Sequence, residues 1–161
     1  MSRTVFDNEM EDLLSAAESI IPDSIMPDLP YMTLAPDVHE WHSFELALWN
    51  TGEKIRQLIS LHKKPLTQNQ LERILNICQD KRAARGRQSF VMLLGRKQYV
   101  DFSHRLISLL NDDDINGYVI DTLYKMRAPG YSTIITPFLQ HNRSWIRKTA
   151  ERYIQRFEHT T

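Results

Sequence analysis

The chain has 161 residues, is 42% hydrophobic and 25% charged, and sets 20 Lys and Arg against 20 Asp and Glu. That balance fits a folded globular domain with a real core and argues against a disordered or fibrous chain. Apolar runs stay far short of the roughly 20 residues that span a bilayer, and one cysteine, Cys78, excludes an internal disulfide. The overall neutrality conceals two halves. Residues 1–60 hold eleven acids and three bases, a net of −8, and residues 61–161 hold nine acids and seventeen bases, a net of +8. Such polarity folds one half against the other or presents one charged face to a partner. The N-terminus, MSRTVFDNEMEDLL, is acidic and lacks a basic-then-apolar leader, so a cytoplasmic protein is expected.

Nearly every patterned segment has the helical period. Met10, Leu13, Leu14, Ala17, Ile20 and Ile21 predict a first helix over about 7–21, with Asn8 and Glu11 at capping-box spacing. Pro22, Pro27, Pro30 and Pro36 punctuate a connection over 22–38, long enough to be ordered against the body or functional. A second helix is predicted over about 39–62 on Trp41, Phe44, Leu48, Ile55, Leu58 and His62, with Gly52 as a weak point that bends or interrupts it. Thr67 with Gln70 has capping-box spacing and Leu66 with Leu71 has staple spacing, so a third helix follows on Leu71, Ile74, Leu75 and Cys78. Cys78 falls in that apolar stripe and reads as core.

A fourth helix is predicted over about 81–94, stopped by Gly95 in a left-handed conformation, and a fifth over about 97–110. Asp112, Asp113 and Asp114 form the next turn and offer an N-cap to a sixth helix over about 115–126. SFVMLLG at 89–95 has strand-like composition, but its place between helical patterns favours helix. Ala128-Pro129-Gly130 then breaks the chain before a last pair of helices within 134–157. Ile146, Ala150, Tyr153, Ile154 and Phe157 share one side of the second of that pair.

Catalytic constellations are scarce. His39-Glu40-Trp41-His42 spaces its histidines three apart rather than the four of a helical zinc motif, and His62, His104, His141 and His159 are scattered. The Asp112–Asp114 turn lacks the alternate ligands and closing glutamate of a calcium loop. There is no Gly-rich phosphate loop, nucleophile elbow or paired-carboxylate arrangement, so neither an enzyme nor a cofactor is expected. Two basic stretches, Lys81, Arg82, Arg85, Arg87, Arg96 and Lys97, and Arg143, Arg147, Lys148, Arg152 and Arg156, allow a nucleic-acid groove. The zero net charge and the lack of interleaved aromatics favour pairing with the acidic half instead.

From about Gln70 onward, paired short helices recur at intervals near thirty to forty residues, best in IITPFLQHNRSWIRKTAERYIQRF, with Pro137 in its first helix and Ile146-Arg147 in its second. This resembles HEAT-like repeats, and the resemblance implies an all-α, HEAT-like α-solenoid of antiparallel helix pairs over 66–161. An extra acidic N-terminal helical portion over 1–62 completes a single domain, 1–161. In the resemblance Arg147 bonds a neighbouring unit. The stretches AARGRQSFVMLLGRKQYVDFSHRLISLL and YVIDTLYKMRAPGYSTIITPFLQHNRSWIRKTAERYI also resemble bacterial immunity proteins against polymorphic or contact-dependent growth-inhibition toxins.

That resemblance implies a cognate protein toxin domain as partner; the short apolar runs argue against a membrane, and the charge balance argues against nucleic acid. Acidic groups would face the toxin's basic cleft: Asp7, Glu9, Glu11, Asp12, Asp37, Glu40, Asp112, Asp113, Asp114 and Asp121. Trp145, at the edge of its turn and half exposed, is the candidate aromatic anchor. A HEAT-like nucleic-acid-binding or repair protein and a general protein adaptor are the alternatives.

Overall fold

The computed structural model describes residues 4–157, so Arg3 and His159 lie outside the described residues. Among these residues the chain is all-helical, without a strand. The helices are α1 (Val5–Ile20), α2 (Ser43–His62), α3 (Gln68–Gln79), α4 (Gln88–Leu93), α5 (Asn116–Lys125), α6 (Ser132–Ile135) and α7 (Ser144–Phe157). Three 3₁₀ segments join them: Lys81–Arg87, Lys97–Asn111 and Thr136–Gln140. No helix among the described residues is long and apolar enough to cross a membrane.

The chain forms two compact units that divide between Phe90 and Val91. The first unit takes in α3, which packs on α1, and the 3₁₀ segment Lys81–Arg87, which packs on α2. In the N-terminal unit Phe6, Met10, Leu14 and Ala17 of α1 are buried, as are Leu48, Ile55, Leu58 and Ile59 of α2 and Ile74, Leu75 and Cys78 of α3. In the C-terminal unit α5 lies against the 3₁₀ helix Lys97–Asn111 and against α7, and α7 lies against Thr136–Gln140. Its core includes Leu106, Val119, Leu123, Ile146, Ala150 and Tyr153.

Several local expectations hold. The Thr67 hydroxyl accepts from the Gln70 N–H (3.2 Å) and the Gln70 side chain accepts from the Thr67 N–H (2.9 Å), with Leu66 and Leu71 both buried beside them. The 89–95 stretch is helical rather than extended over Gln88–Leu93.

Others are corrected. The cap of α1 is Thr4 with Asp7, which exchange reciprocal bonds, and not Asn8 with Glu11. Starting there brings Phe6 into the buried stripe. α2 begins at Ser43 rather than 39, because the Glu45 carboxylate accepts from the His42 N–H (2.9 Å) and fixes the start there. Gly52 does not interrupt α2. It admits the neighbouring chain: a Cβ there would meet the Ser89 hydroxyl at 2.1 Å.

The expected helix over 81–94 is broken at Ala84, whose φ of 50° and ψ of −137° are non-helical. Gly95 is not left-handed; that conformation falls on Lys63 (φ 51°), on Arg127 (φ 57°) after α5 and on Gly130 (φ 97°).

Candidate protein-interaction surface

The N-terminal unit carries an acidity that is not evenly spread. Residues 4–53 contain eleven Asp and Glu and no Lys or Arg. α1 sorts its acids by face, as residues three and four apart point the same way. Glu11, Ser15 and Glu18 turn toward α3 and hold the Arg73 guanidinium: Glu18 at 2.6 Å, Ser15 at 3.3 Å, and Glu11 through a second ion pair. These bonds, Glu18 foremost, raise the Arg73 pKa further. Asp7 is spent on the helix cap.

Glu9 and Asp12 face elsewhere. With Leu13 of α1 and Lys54, Gln57, Leu58 and Leu61 of α2 they line an open groove of about 440 Å3. Leu61 is 77% exposed on its edge. Asp37 and Glu40 are exposed on the connection between α1 and α2. Glu9, Asp12, Asp37 and Glu40 make no ion pair among the described residues.

That connection, residues 21–42, is a built strap. The His42 ring Nε2 donates to the Pro27 carbonyl (2.7 Å), and His39 Nδ1 donates to the Leu29 carbonyl. The Glu40 N–H donates to the Pro30 carbonyl (2.8 Å) and the Met32 N–H to the Val38 carbonyl (2.7 Å). Tyr31 and His39 form an antiparallel bridge and stack their rings at 4.1 Å. The histidines that suggested a metal motif therefore hold backbone carbonyls. Among the described residues no group of three or more His, Cys, Asp or Glu is placed to hold a metal ion.

The strap's far end is anchored by Arg85. Its guanidinium donates to the His39 carbonyl (2.7 Å), the Glu40 carbonyl (2.7 Å) and the Glu45 carboxylate (3.1 Å), and it lies over the Trp41 ring at 5.1 Å. So secured, the strap presents Ile25, Met26, Tyr31, Met32 and Leu34 outward, Leu34 at 97% exposure. Sequence reading marked this connection as long and did not single out these side chains. Their signal was an aperiodic apolar series set between prolines and aspartates, SIMPDLPYMTLAPD.

The other expected site residues lie in the C-terminal unit. The Asp112 carboxylate accepts from the Asp114 N–H (3.0 Å), closing the turn on itself. It therefore does not cap α5; Ile115 stands at that N-cap without a side-chain bond, and the Asp112 carbonyl receives the Asn116 N–H (2.9 Å). Asp113 is exposed, Asp114 half-buried, and Asp121 pairs with Lys125 one turn on (2.9 Å). Trp145 is 40% exposed. Its inner edge packs on α5, tilted against Tyr118 at 5.1 Å, and a Cβ on Gly117 would meet it at 2.4 Å.

The basic stretches are largely engaged. Arg82 chelates Asp80 (2.9 and 2.7 Å), and Arg87 is fully buried on the Ala84 (2.7 Å) and Cys78 (3.3 Å) carbonyls. Arg152 and Arg156 lie over the Tyr124 ring. Arg147 donates to the His141 carbonyl (2.6 Å) in the turn just before α7, so the bond expected to reach a neighbouring unit is local.

Compared with known proteins, the chain matches no family model, no curated relative and no solved structure.

Proposed function

We propose that this chain is a toxin-neutralising protein of the immunity kind, a HEAT-like stack of helix pairs behind an acidic N-terminal portion that occludes the basic cleft of a nuclease toxin. The observation that carries this reading is the cation-free span 4–53, in which Glu9, Asp12, Asp37 and Glu40 stand exposed without an ion pair among the described residues. A cleft that binds nucleic acid is lined by Lys and Arg for phosphates. Fixed carboxylates compete for those cations, speed encounter and disfavour partners of like charge.

The successive packing of Lys97–Asn111, α5, α7 and Thr136–Gln140 supports the stacked-pair arrangement. Trp145, half exposed and rigidly backed by Tyr118, is suited to anchor a partner on the C-terminal unit. Co-expression tests the reading. The chain is expected to protect cells from a toxin encoded beside it, and unprotected cells would remove the immunity assignment.

A further inference from the structure

The acidic surface leaves five exposed apolar side chains of the strap without a role. Ile25, Met26, Tyr31, Met32 and Leu34 crowd into ten residues. Scattered exposed hydrophobics are ordinary, but a contiguous group with polar neighbours marks an interaction site. The backbone that carries them is held in place before any partner arrives. Four bonds fix the strap's course, from His42 to Pro27, His39 to Leu29, Glu40 to Pro30 and Met32 to Val38. A loop ordered in advance saves the entropy that a flexible one would lose on binding. A long loop kept ordered at a cost to apolar solvation is usually functional.

We infer that the strap is a preformed docking plug, and that the surface it enters is an apolar cleft of a partner protein rimmed by Lys and Arg. The charge around the plug selects this occupant. Asp37 and Glu40 flank the apolar side chains, exposed and without an ion pair among the described residues, whereas Asp28 has the His39 ring at 3.7 Å and Asp23 lies within the field of Arg82. A second copy of the same strap would bring acid against acid, which opposes self-pairing. An anionic membrane would repel the same carboxylates. A cleft with basic walls and an apolar floor satisfies both sets of groups. The inference rests on the proposed function only in taking the toxin as the natural partner.

The test uses the full chain and a short synthetic amphipathic peptide with a strip of Leu and Phe along one helical face, bordered on both sides by Lys. A twin peptide carries Glu in place of Lys. The Lys peptide is expected to bind and to shift the amide NMR signals of residues 25–34, and the Glu peptide is expected not to bind. Met32→Ser with Leu34→Ser is expected to weaken binding at least about tenfold, because both side chains are anchors. The melting temperature of that variant should be unchanged, since both side chains are exposed in the free chain.

Failure of the Lys peptide to bind, shifts confined to other residues, or undiminished binding by the double variant would each overturn the inference. So would strap-dependent dimerisation of the chain alone in sedimentation, or strap-dependent flotation with phosphatidylglycerol vesicles. Toxin protection that survives the double substitution removes the strap's role and leaves the immunity reading intact. Peptide binding at the strap by a chain that gives no protection does the reverse.

Discussion

Arg85 meets Glu45 three times, with its backbone N–H at 2.9 Å and its guanidinium Nε at 3.1 Å from one carboxylate oxygen and its Nη2 at 3.4 Å from the other. Glu45 is 1% exposed, and the His42 N–H also donates to that second oxygen, at 2.9 Å. The pair ties the start of α2, the end of the strap and the 3₁₀ segment Lys81–Arg87 into one network. The kink at Ala84 is what brings the Arg85 N–H to bear on Glu45, so the break in the expected helix has a structural cause.

Arg85→Ala would leave a buried carboxylate with only part of its donor set. Removing one member of a buried pair typically costs roughly 3–5 kcal/mol; a loss of about 3 kcal/mol is expected in urea unfolding, since the two backbone donors remain. Amide exchange at Met32 and Glu40, whose N–H groups lock the strap, should accelerate more than exchange in α3.

Ala84 and Arg127 hold positive φ without being glycine. At Arg127 the turn closes with the Ala128 N–H on the Leu123 carbonyl (3.1 Å), an arrangement in which glycine is favoured. Ala84→Gly and Arg127→Gly are each expected to stabilise by about 1 kcal/mol, the left-handed penalty of an L side chain less the added freedom of the unfolded glycine. Thermal melts of the two variants check this, and a fall in midpoint would refute the strain at that position.

Cys78 is fully buried, and burial pushes its thiol pKa up to about 12. The thiolate is the reactive form, so the native chain should resist a thiol reagent at neutral pH. Labelling should proceed only through opening of the N-terminal unit, and its rate should rise with urea in step with unfolding. Rapid labelling in native buffer would place the thiol outside the core.

Asp80 has its pKa lowered chiefly by the hydrogen bonds from the Arg82 side chain, which outweigh desolvation. A depressed folded pKa gives stability that is present above the unfolded carboxylate value near 4 and is lost as pH falls through the folded value. Asp80→Asn should therefore be less stable than the parent at pH 6 and should converge with it in acid. Asp80 also accepts from the Arg82 N–H (3.1 Å) at the start of the 3₁₀ segment, a contact the amide oxygen of Asn can retain. Parallel stability curves across pH 2–6 would contradict the assignment.

The sequence made the helices legible wherever a stripe and a local cap coincide. Thr67 with Gln70, the buried Cys78 and the half-exposed Trp145 follow from spacing alone. The cap of α1 was misplaced by one turn: Asn8-Glu11 has the required interval, but the reciprocal bonds form between Thr4 and Asp7. The break at Ala84 has no Pro or Gly at the kinked residue itself; it depends on Glu45, 40 residues away. The strap was visible as a long Pro-rich connection, but its conformation depends on His39 and His42 reaching back 10 and 15 residues. The candidate acids were legible as a charge excess, but their sorting was not. Glu11 is consumed by Arg73, Asp7 by Thr4 and Asp121 by Lys125, and those partners emerge only on folding.

In the proposed immunity function the unpaired acids of the N-terminal unit recognise a basic toxin cleft. That proposal is tested by the association rate of the purified chain with a toxin domain encoded beside it, by surface plasmon resonance across salt concentrations. Glu9→Lys, Asp12→Lys, Asp37→Lys and Glu40→Lys together are expected to slow association at least about tenfold at low salt and to flatten its salt dependence. Association as fast and as salt-sensitive in that variant as in the parent would contradict the account.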